Sequence, residues 1–114
     1  MTINNSNPIF VAACEEFDIP YLIVRETSEI LQRASIQPNI FWEEGLGCVC
    51  LEWECPVGYL TINVYKTRLS IFQNLNGHRL TMFDATLNDA IDAYNNSHDV
   101  LWKYANTYEI DEAE

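Results

Sequence analysis

Positive charge is scarce in this sequence, which has 6 lysines and arginines against 17 aspartates and glutamates. The formal net charge of −11 repels nucleic acids and anionic membranes and attracts basic surfaces. Direct binding to DNA, RNA or a membrane is therefore disfavoured. A basic protein is the partner that this charge balance favours.

Long apolar segments are also missing. No run approaches the ~18 residues that a helix needs to cross a bilayer, and the first ten residues, MTINNSNPIF, lack the features of a secretory signal. We therefore expect a cytoplasmic protein, in which the four cysteines are thiols rather than a disulfide framework.

No linker rich in glycine, serine or proline divides the chain, which has only four glycines and four prolines. Its 114 residues, 48% of them hydrophobic, suffice to bury one core. We predict a single domain over residues 1–114, with residues 1–6 and 109–114 frayed.

Helical spacing is found toward both ends of the chain. In the N-terminal part, Asn7 and Pro8 are typical of a helix start, and Pro20 ends that helix. The apolar run from residue 21 to 24 is interpreted as a strand or extended segment, and Thr27 or Ser28 as the cap of a brief second helix.

In the C-terminal part, Thr86 and Asp89 resemble a capping box before a helix that begins at Leu87. The pattern leaves open whether this helix continues past Asn96 or a second one follows.

Between the two helical regions the apolar period changes to two, which is typical of strands. Five segments fit: Ile40–Trp42, Cys48–Cys55, Tyr59–Tyr65, Leu69–Gln73 and Arg79–Phe83. The pair Asn76-Gly77 suits a type I′ hairpin, which would place Ile71 opposite Met82 and Phe72 opposite Thr81. The predicted fold is α+β: an antiparallel meander of four to five strands with an N-terminal helix and C-terminal helices packed on one face.

The segment CVCLEWEC, residues 48–55, holds three of the four cysteines. Side chains on a strand alternate between its faces, so one face carries Val49, Leu51, Trp53 and Cys55, and the other Cys48, Cys50, Glu52 and Glu54. Zinc ligands usually come in pairs two to four residues apart on tight turns, which this spacing does not match. We therefore predict a strand with no metal and no cofactor.

A thiol enzyme is the alternative for this segment. A cysteine nucleophile needs a base within hydrogen-bonding reach, and only His78 and His98 could serve. No motif ties either histidine to a cysteine. Glu52 and Glu54 lie about 7 Å apart by strand rise, near the separation of paired carboxylates in glycosidases, but two glutamates on a sheet face are usually a solvated surface. We therefore predict a protein that is not an enzyme.

Two sets of residues are candidate contacts to a partner. Tyr59 and Tyr65 alternate with apolar neighbours, which predicts that they stand on the wetter sheet face near Glu52 or Glu54, and tyrosine is a common interface anchor. An acidic helical stripe could imitate nucleic-acid phosphates toward a basic cleft. The candidate binding residues are Glu52, Glu54, Tyr59, Tyr65, Asp89 and Asp92.

The stretch PNIFWEEGLGCVCLEWECPVGYLTINVY resembles a pattern found in small prokaryotic proteins, often of mobile elements: proline, a glycine-bearing turn, LEW and an alternating strand. In its size, its acidity and its lack of catalytic motifs, the whole chain also resembles phage-encoded inhibitors of host defence, such as anti-CRISPR and anti-restriction proteins. The resemblance implies a non-catalytic protein that occupies a basic, nucleic-acid-binding surface of a host defence protein.

A second binding hypothesis is a chaperone or immunity partner. Acidic proteins of this size with a meander and terminal helices resemble type III secretion chaperones, which are dimers that bind extended effector segments. This resemblance implies a possible homodimer. The long first segment and the lack of the family's leucine-glycine helix depart from that pattern.

Overall fold

The computed structural model describes residues 2–3 and 18–113, with side-chain surroundings for residues 18–104. The predicted N-terminal helix between Asn7 and Pro20 falls mostly outside the described residues. The strands are β1 (Thr2–Ile3), β2 (Asn39–Glu43), β3 (Cys48–Cys55), β4 (Gly58–Val64), β5 (Leu69–Leu75) and β6 (His78–Ala85). The helices are α1 (Tyr21–Arg33) and α2 (Leu87–Ala113).

The six strands form one antiparallel sheet in chain order, β1-β2-β3-β4-β5-β6. The five predicted strands are confirmed, and the two-residue β1 is an addition that the sequence pattern did not indicate. The predicted hairpin is also confirmed, because Asn76 and Gly77 have φ values of 52° and 85°. Its register pairs Ile71 with Met82 and Phe72 with Thr81, as expected.

The interpretation of residues 21–24 as a strand is wrong, since these residues form the first turn of α1. Pro20 is the N-cap, and its carbonyl accepts hydrogen bonds from the amides of Ile23 and Val24 at 3.0 and 3.2 Å. Thr27 and Ser28 therefore lie inside the helix rather than at its start. The apolar run gave the wrong period because four residues are too few to separate a strand from a helix.

The reason for the longer helix is a buried stripe. Ile23, Thr27 and Ile30 are spaced four and three residues apart, and each is at most 1% exposed. Burying this stripe against the core outweighs the strand preference of the β-branched residues at the start of the segment.

Helix α2 begins as the capping box predicts. The amide of Thr86 donates to the Asp89 carboxylate at 2.9 Å, and the amide of Asp89 donates to the Thr86 hydroxyl at 3.1 Å. The helix continues past Asn96 as one element. The C-terminal part therefore forms one helix, where more than one was predicted. In the described part of the chain, no helix is both long and apolar enough to cross a bilayer.

Both helices pack on the sheet face that carries Val49, Leu51 and Trp53. The indole N–H of Trp53 donates to the carbonyl of Ile36 at 2.8 Å, in the connection from α1 to β2. The Tyr94 ring of α2 lies 5.4 Å from the Trp53 ring, and its hydroxyl accepts from the amide of Ile36 at 2.9 Å. These contacts join the sheet, the connection and α2, and the α+β architecture is confirmed.

Gly58 is the position in the sheet where a side chain is least tolerated. Its φ is +138°, and a Cβ there would overlap the backbone carbonyl of Asn74 on β5. We expect Gly58→Ala to lower the free energy of unfolding by about 3 kcal/mol, from combined strain and overlap. Urea unfolding followed by circular dichroism measures this.

The matched control is Gly45→Ala, because nothing lies within 4 Å of a Cβ there and no positive φ is needed. This variant should stay within about 0.5 kcal/mol of the native chain. Equal stability of the two alanine variants would contradict the described approach of β4 to β5.

Candidate functional site

The sheet separates the chemistry-bearing residues onto two sides. Because Trp53 points at the helices, the alternate residues of β3 point to the opposite side, called here the outer face. Cys48, Cys50, Glu52 and Glu54 lie there, as predicted, and Cys55 packs against the core. The three sulfur atoms therefore do not converge.

An acidic patch forms at one end of the outer face. Glu54 is paired across the strands with Tyr59, which is 41% exposed, and Glu52 with Thr61. A hydrogen bond shared with Glu54, together with partial burial and the negative charge of Glu54, raises the pKa of Glu52. The two carboxylates thus repel each other when both are charged.

A second cluster forms at the other end of the outer face. The Cys48 thiol is fully buried and shares a hydrogen bond with the Tyr65 hydroxyl. The Arg68 guanidinium lies 4.2 Å from the centre of the Tyr65 ring and donates to the Ser70 hydroxyl and the Phe83 carbonyl, each at 2.9 Å. Arg68 therefore holds Tyr65 in place as the cover of the thiol.

The environment of the two outer-face thiols favours their neutral form. Burial is the largest cause that raises the pKa of Cys48, with Glu43 adding to it and Tyr65 opposing it. Burial followed by the charge of Glu52 raises the pKa of Cys50 to about 11. A nucleophilic cysteine needs the opposite shift.

Neither histidine lies beside these thiols. His98 is on α2, where Nε2 contacts the Ser35 hydroxyl at 3.0 Å and the ring stacks on Trp102. His78 shares a cross-strand row with Cys55 but lies three strand spacings away, or about 14 Å. Within residues 18–104, no three His, Cys, Asp or Glu side chains are grouped so that they could hold a metal ion.

A groove of about 450 Å³ lies on the helix side, between α2 and the last two strands. Leu75, Leu80, Met82 and Val100 give it an apolar floor. Asp89 and Asp92 lie among its lining residues, with Asn96 beside them. We call it the α2–β6 groove.

The structure thus divides the predicted contacts among three places. Glu52, Glu54 and Tyr59 come together, whereas Tyr65 lies about 20 Å along the strand from Tyr59, beside Cys48. Tyr65 is therefore not near Glu54, and it is also four positions along the chain from Thr61, the residue opposite Glu52. Asp89 and Asp92 line the α2–β6 groove on the other side of the sheet.

Sequence reasoning missed the apolar floor of the groove. Leu80 is 37% exposed and Met82 half-buried, although both point to the helix side of the sheet. The available signal was the position of their strand at the end of a meander, where no later strand covers it.

The acidic candidates have no neutralising partners within the described chain. Arg25 is paired with Glu26 and Arg33 with Glu29, and the His98 ring lies beside the Asp99 carboxylate, with Nδ1 and Oδ1 3.5 Å apart. None of them involves Glu52, Glu54, Asp89 or Asp92. The negative charge of the acidic patch and of the groove rim is therefore available to a partner.

Comparison with known proteins gave no match to a family model, a curated protein or a solved structure.

The raised pKa of Cys50 predicts a slow thiol. At about pH 8, iodoacetamide should alkylate Cys50 roughly a hundredfold more slowly in the folded chain than in urea, because only the thiolate reacts. The thiolate fraction at this pH falls roughly a hundredfold when the pKa rises from its ordinary 9.0 to about 11. Mass spectrometry of the peptide that contains Cys50 measures the rate, and Glu52→Gln should raise it. Equal rates in the folded and unfolded chains would refute the described environment.

The Glu52–Glu54 pair predicts a pH-dependent stability change. The pKa of Glu52 is raised in the fold, so its favourable contribution is present below its ordinary value of 4.5 and is lost as the pH rises. At about pH 7, Glu52→Gln should therefore increase the free energy of unfolding by about 0.5 kcal/mol, since it removes like-charge repulsion.

At about pH 3.5 the same substitution should change the stability by less than about 0.2 kcal/mol, because protonated Glu52 and glutamine are both neutral. Denaturant unfolding at the two pH values is the measurement, with Glu44→Gln in the exposed β2–β3 turn as the control. A gain that is the same at both pH values would contradict the described pair.

Proposed function

We propose that this protein is a non-catalytic binding module for a basic protein partner. The observation that carries the proposal is the α2–β6 groove, in which an apolar floor adjoins carboxylates that no cation of the described chain neutralises. Protein interfaces typically combine an apolar centre with a polar rim. A basic partner gains both apolar burial and ion pairing in this groove.

Asp92 is the residue of the groove rim that the fold needs least. It is exposed and pairs with no cation in the described range, whereas Asp89 also caps α2 through Thr86. Asp92 can therefore turn to a partner without weakening the helix. Its contribution is separable from the fold by mutation.

The acidic patch of Glu52, Glu54 and Tyr59 has a different part in this proposal. It lies on the outer face, so a partner seated in the groove does not cover it. Its charge adds to the −11 of the chain and attracts a basic partner over a distance of about one Debye length. The patch raises the association rate and leaves the dissociation rate unchanged.

The more specific form of the proposal is an inhibitor of a host defence protein. A basic surface that binds nucleic acid is the complement of this charge, and Asp89, Asp92 and Asn96 follow one another along α2 at helical spacing on the rim of the groove. Occupying such a surface blocks DNA or RNA without chemistry. A phage- or mobile-element-encoded anti-CRISPR or anti-restriction protein, acting in the cytoplasm, fits this description.

The test is capture and kinetics with one partner. Immobilised protein should retain basic, nucleic-acid-binding proteins from a bacterial lysate at about 50 mM salt and release them by about 300 mM, because the attraction is screened. With a purified captured protein, Asp92→Asn should weaken affinity by about fivefold to tenfold, and Glu52→Gln with Glu54→Gln should slow association about threefold.

Asp99→Asn is the matched control, since it removes the same charge from an exposed position on the same helix outside the groove. Surface plasmon resonance measures both rates. Binding that is indifferent to salt, or equal losses from the Asp92 and Asp99 substitutions, would overturn the proposal. Release of bound nucleic acid by the captured protein, when the acidic chain is added, tests the inhibitor form.

A further inference from the structure

Strand β6 ends the sheet, so β5 pairs with one side of its backbone and no strand of the described chain pairs with the other. The two-residue turn makes Leu75 and His78 the first hydrogen-bonded pair of the hairpin. Hydrogen-bonded and non-hydrogen-bonded pairs then alternate. The backbone amides and carbonyls of Arg79 and Thr81 therefore point away from the sheet.

The usual protections of an edge strand are absent from the middle of β6. The stretch from residue 80 to 83 reads LTMF, without charge or proline, and the irregularity in the β5–β6 register comes only after Met82. Natural proteins place lysine, proline or a bulge on such edges to prevent pairing with another chain. An unprotected edge is a template for an added strand.

Apolar side chains stand exposed on both sides of this edge. Leu80 and Met82 form part of the groove floor on the helix side. Phe83 is 63% exposed on the outer face, where its ring meets Phe72 edge-to-face at 5.8 Å. A strand laid beside β6 would cover side chains on both faces while it satisfies the backbone groups of Arg79 and Thr81.

Charge decides what kind of segment fits. A second copy of this chain carries the same net charge of −11 and would be repelled from this edge. A basic segment instead places its cations beside Asp89 and Asp92 on the groove rim. Arginine and lysine stems are long enough to lie over Leu80 and Met82 while their charged ends reach these carboxylates.

We infer that an extended segment of the partner, with basic side chains at alternate positions, pairs with β6 as a seventh strand. The basic side chains lie in the α2–β6 groove, and β-branched side chains between them lie beside Thr81 and Phe83 on the outer face. This inference rests on the proposed function and adds the mode of binding and the sequence pattern of the bound segment.

The test compares two synthetic heptapeptides of the same composition and charge. One alternates arginine and valine, and the other has four arginines followed by three valines. Titration into the full chain at low salt should give a dissociation constant about tenfold lower for the alternating peptide, since only its basic side chains share one strand face. Amide hydrogen exchange at Arg79 should slow by tenfold or more when it binds.

The variant Thr81→Pro removes one outward amide without a bond to β5, because proline is tolerated on an edge strand at such a position. It should abolish the preference for the alternating peptide. Thr81→Lys, a common natural edge protection, is a second variant that keeps the backbone intact and should reduce the preference as well. Circular dichroism checks that both variants fold.

The outcomes distinguish a failure of strand addition from a failure of the proposed function. Equal binding of the two peptides, unaffected by Thr81→Pro, would overturn strand addition and leave the basic-partner proposal standing. Absence of binding by either peptide at low salt would overturn both. A homodimer in sedimentation that Thr81→Pro converts to a monomer would replace the partner segment with a second copy.

Discussion

The contact of Trp53 with Ile36 and Tyr94 is the interaction on which the rest of this molecule depends. One indole in the middle of β3 donates to the connection before β2 and packs against the ring of α2, whose hydroxyl binds the same connection. The groups involved are largely withdrawn from water, and each donor has an acceptor, so the cost of burying them is offset. Helix α2 is thereby held over the middle strands. The middle of the last strand, β6, is only partly covered on its helix side, and the groove exists for that reason.

The distribution of charge follows from the same arrangement. Apolar and aromatic residues occupy the face beneath the helices, so the carboxylates lie on the outer face, in turns and on the solvent sides of both helices. The Glu52–Glu54 pair and the rim residue Asp92 are on opposite sides of the sheet and cannot touch one small partner surface together. In the proposed function the pair acts on a partner at a distance and Asp92 acts in contact, which combines fast association with a specific binding site.

The thiols of β3 act as packing side chains. Cys48 is sealed beneath Tyr65, and Tyr65 is held by Arg68, one of only six basic residues in the chain. A buried, uncharged thiol behaves as a small apolar side chain. The Arg68 guanidinium also donates to the Ser70 hydroxyl and the Phe83 carbonyl, which fastens the end of β6 to β5.

Local patterns in the sequence determined β2 to β6, their order and the register of the last hairpin, because a period of two and an Asn-Gly turn act over a few residues. They also determined the capping box of α2. They were insufficient for α1, where a short β-branched run is helical because Ile23, Thr27 and Ile30 share a buried stripe. Only the tertiary structure decided which candidate residues meet and how far α2 extends over the last strands. Those outcomes depend on contacts between Trp53 and residues far along the chain, and no local period encodes them.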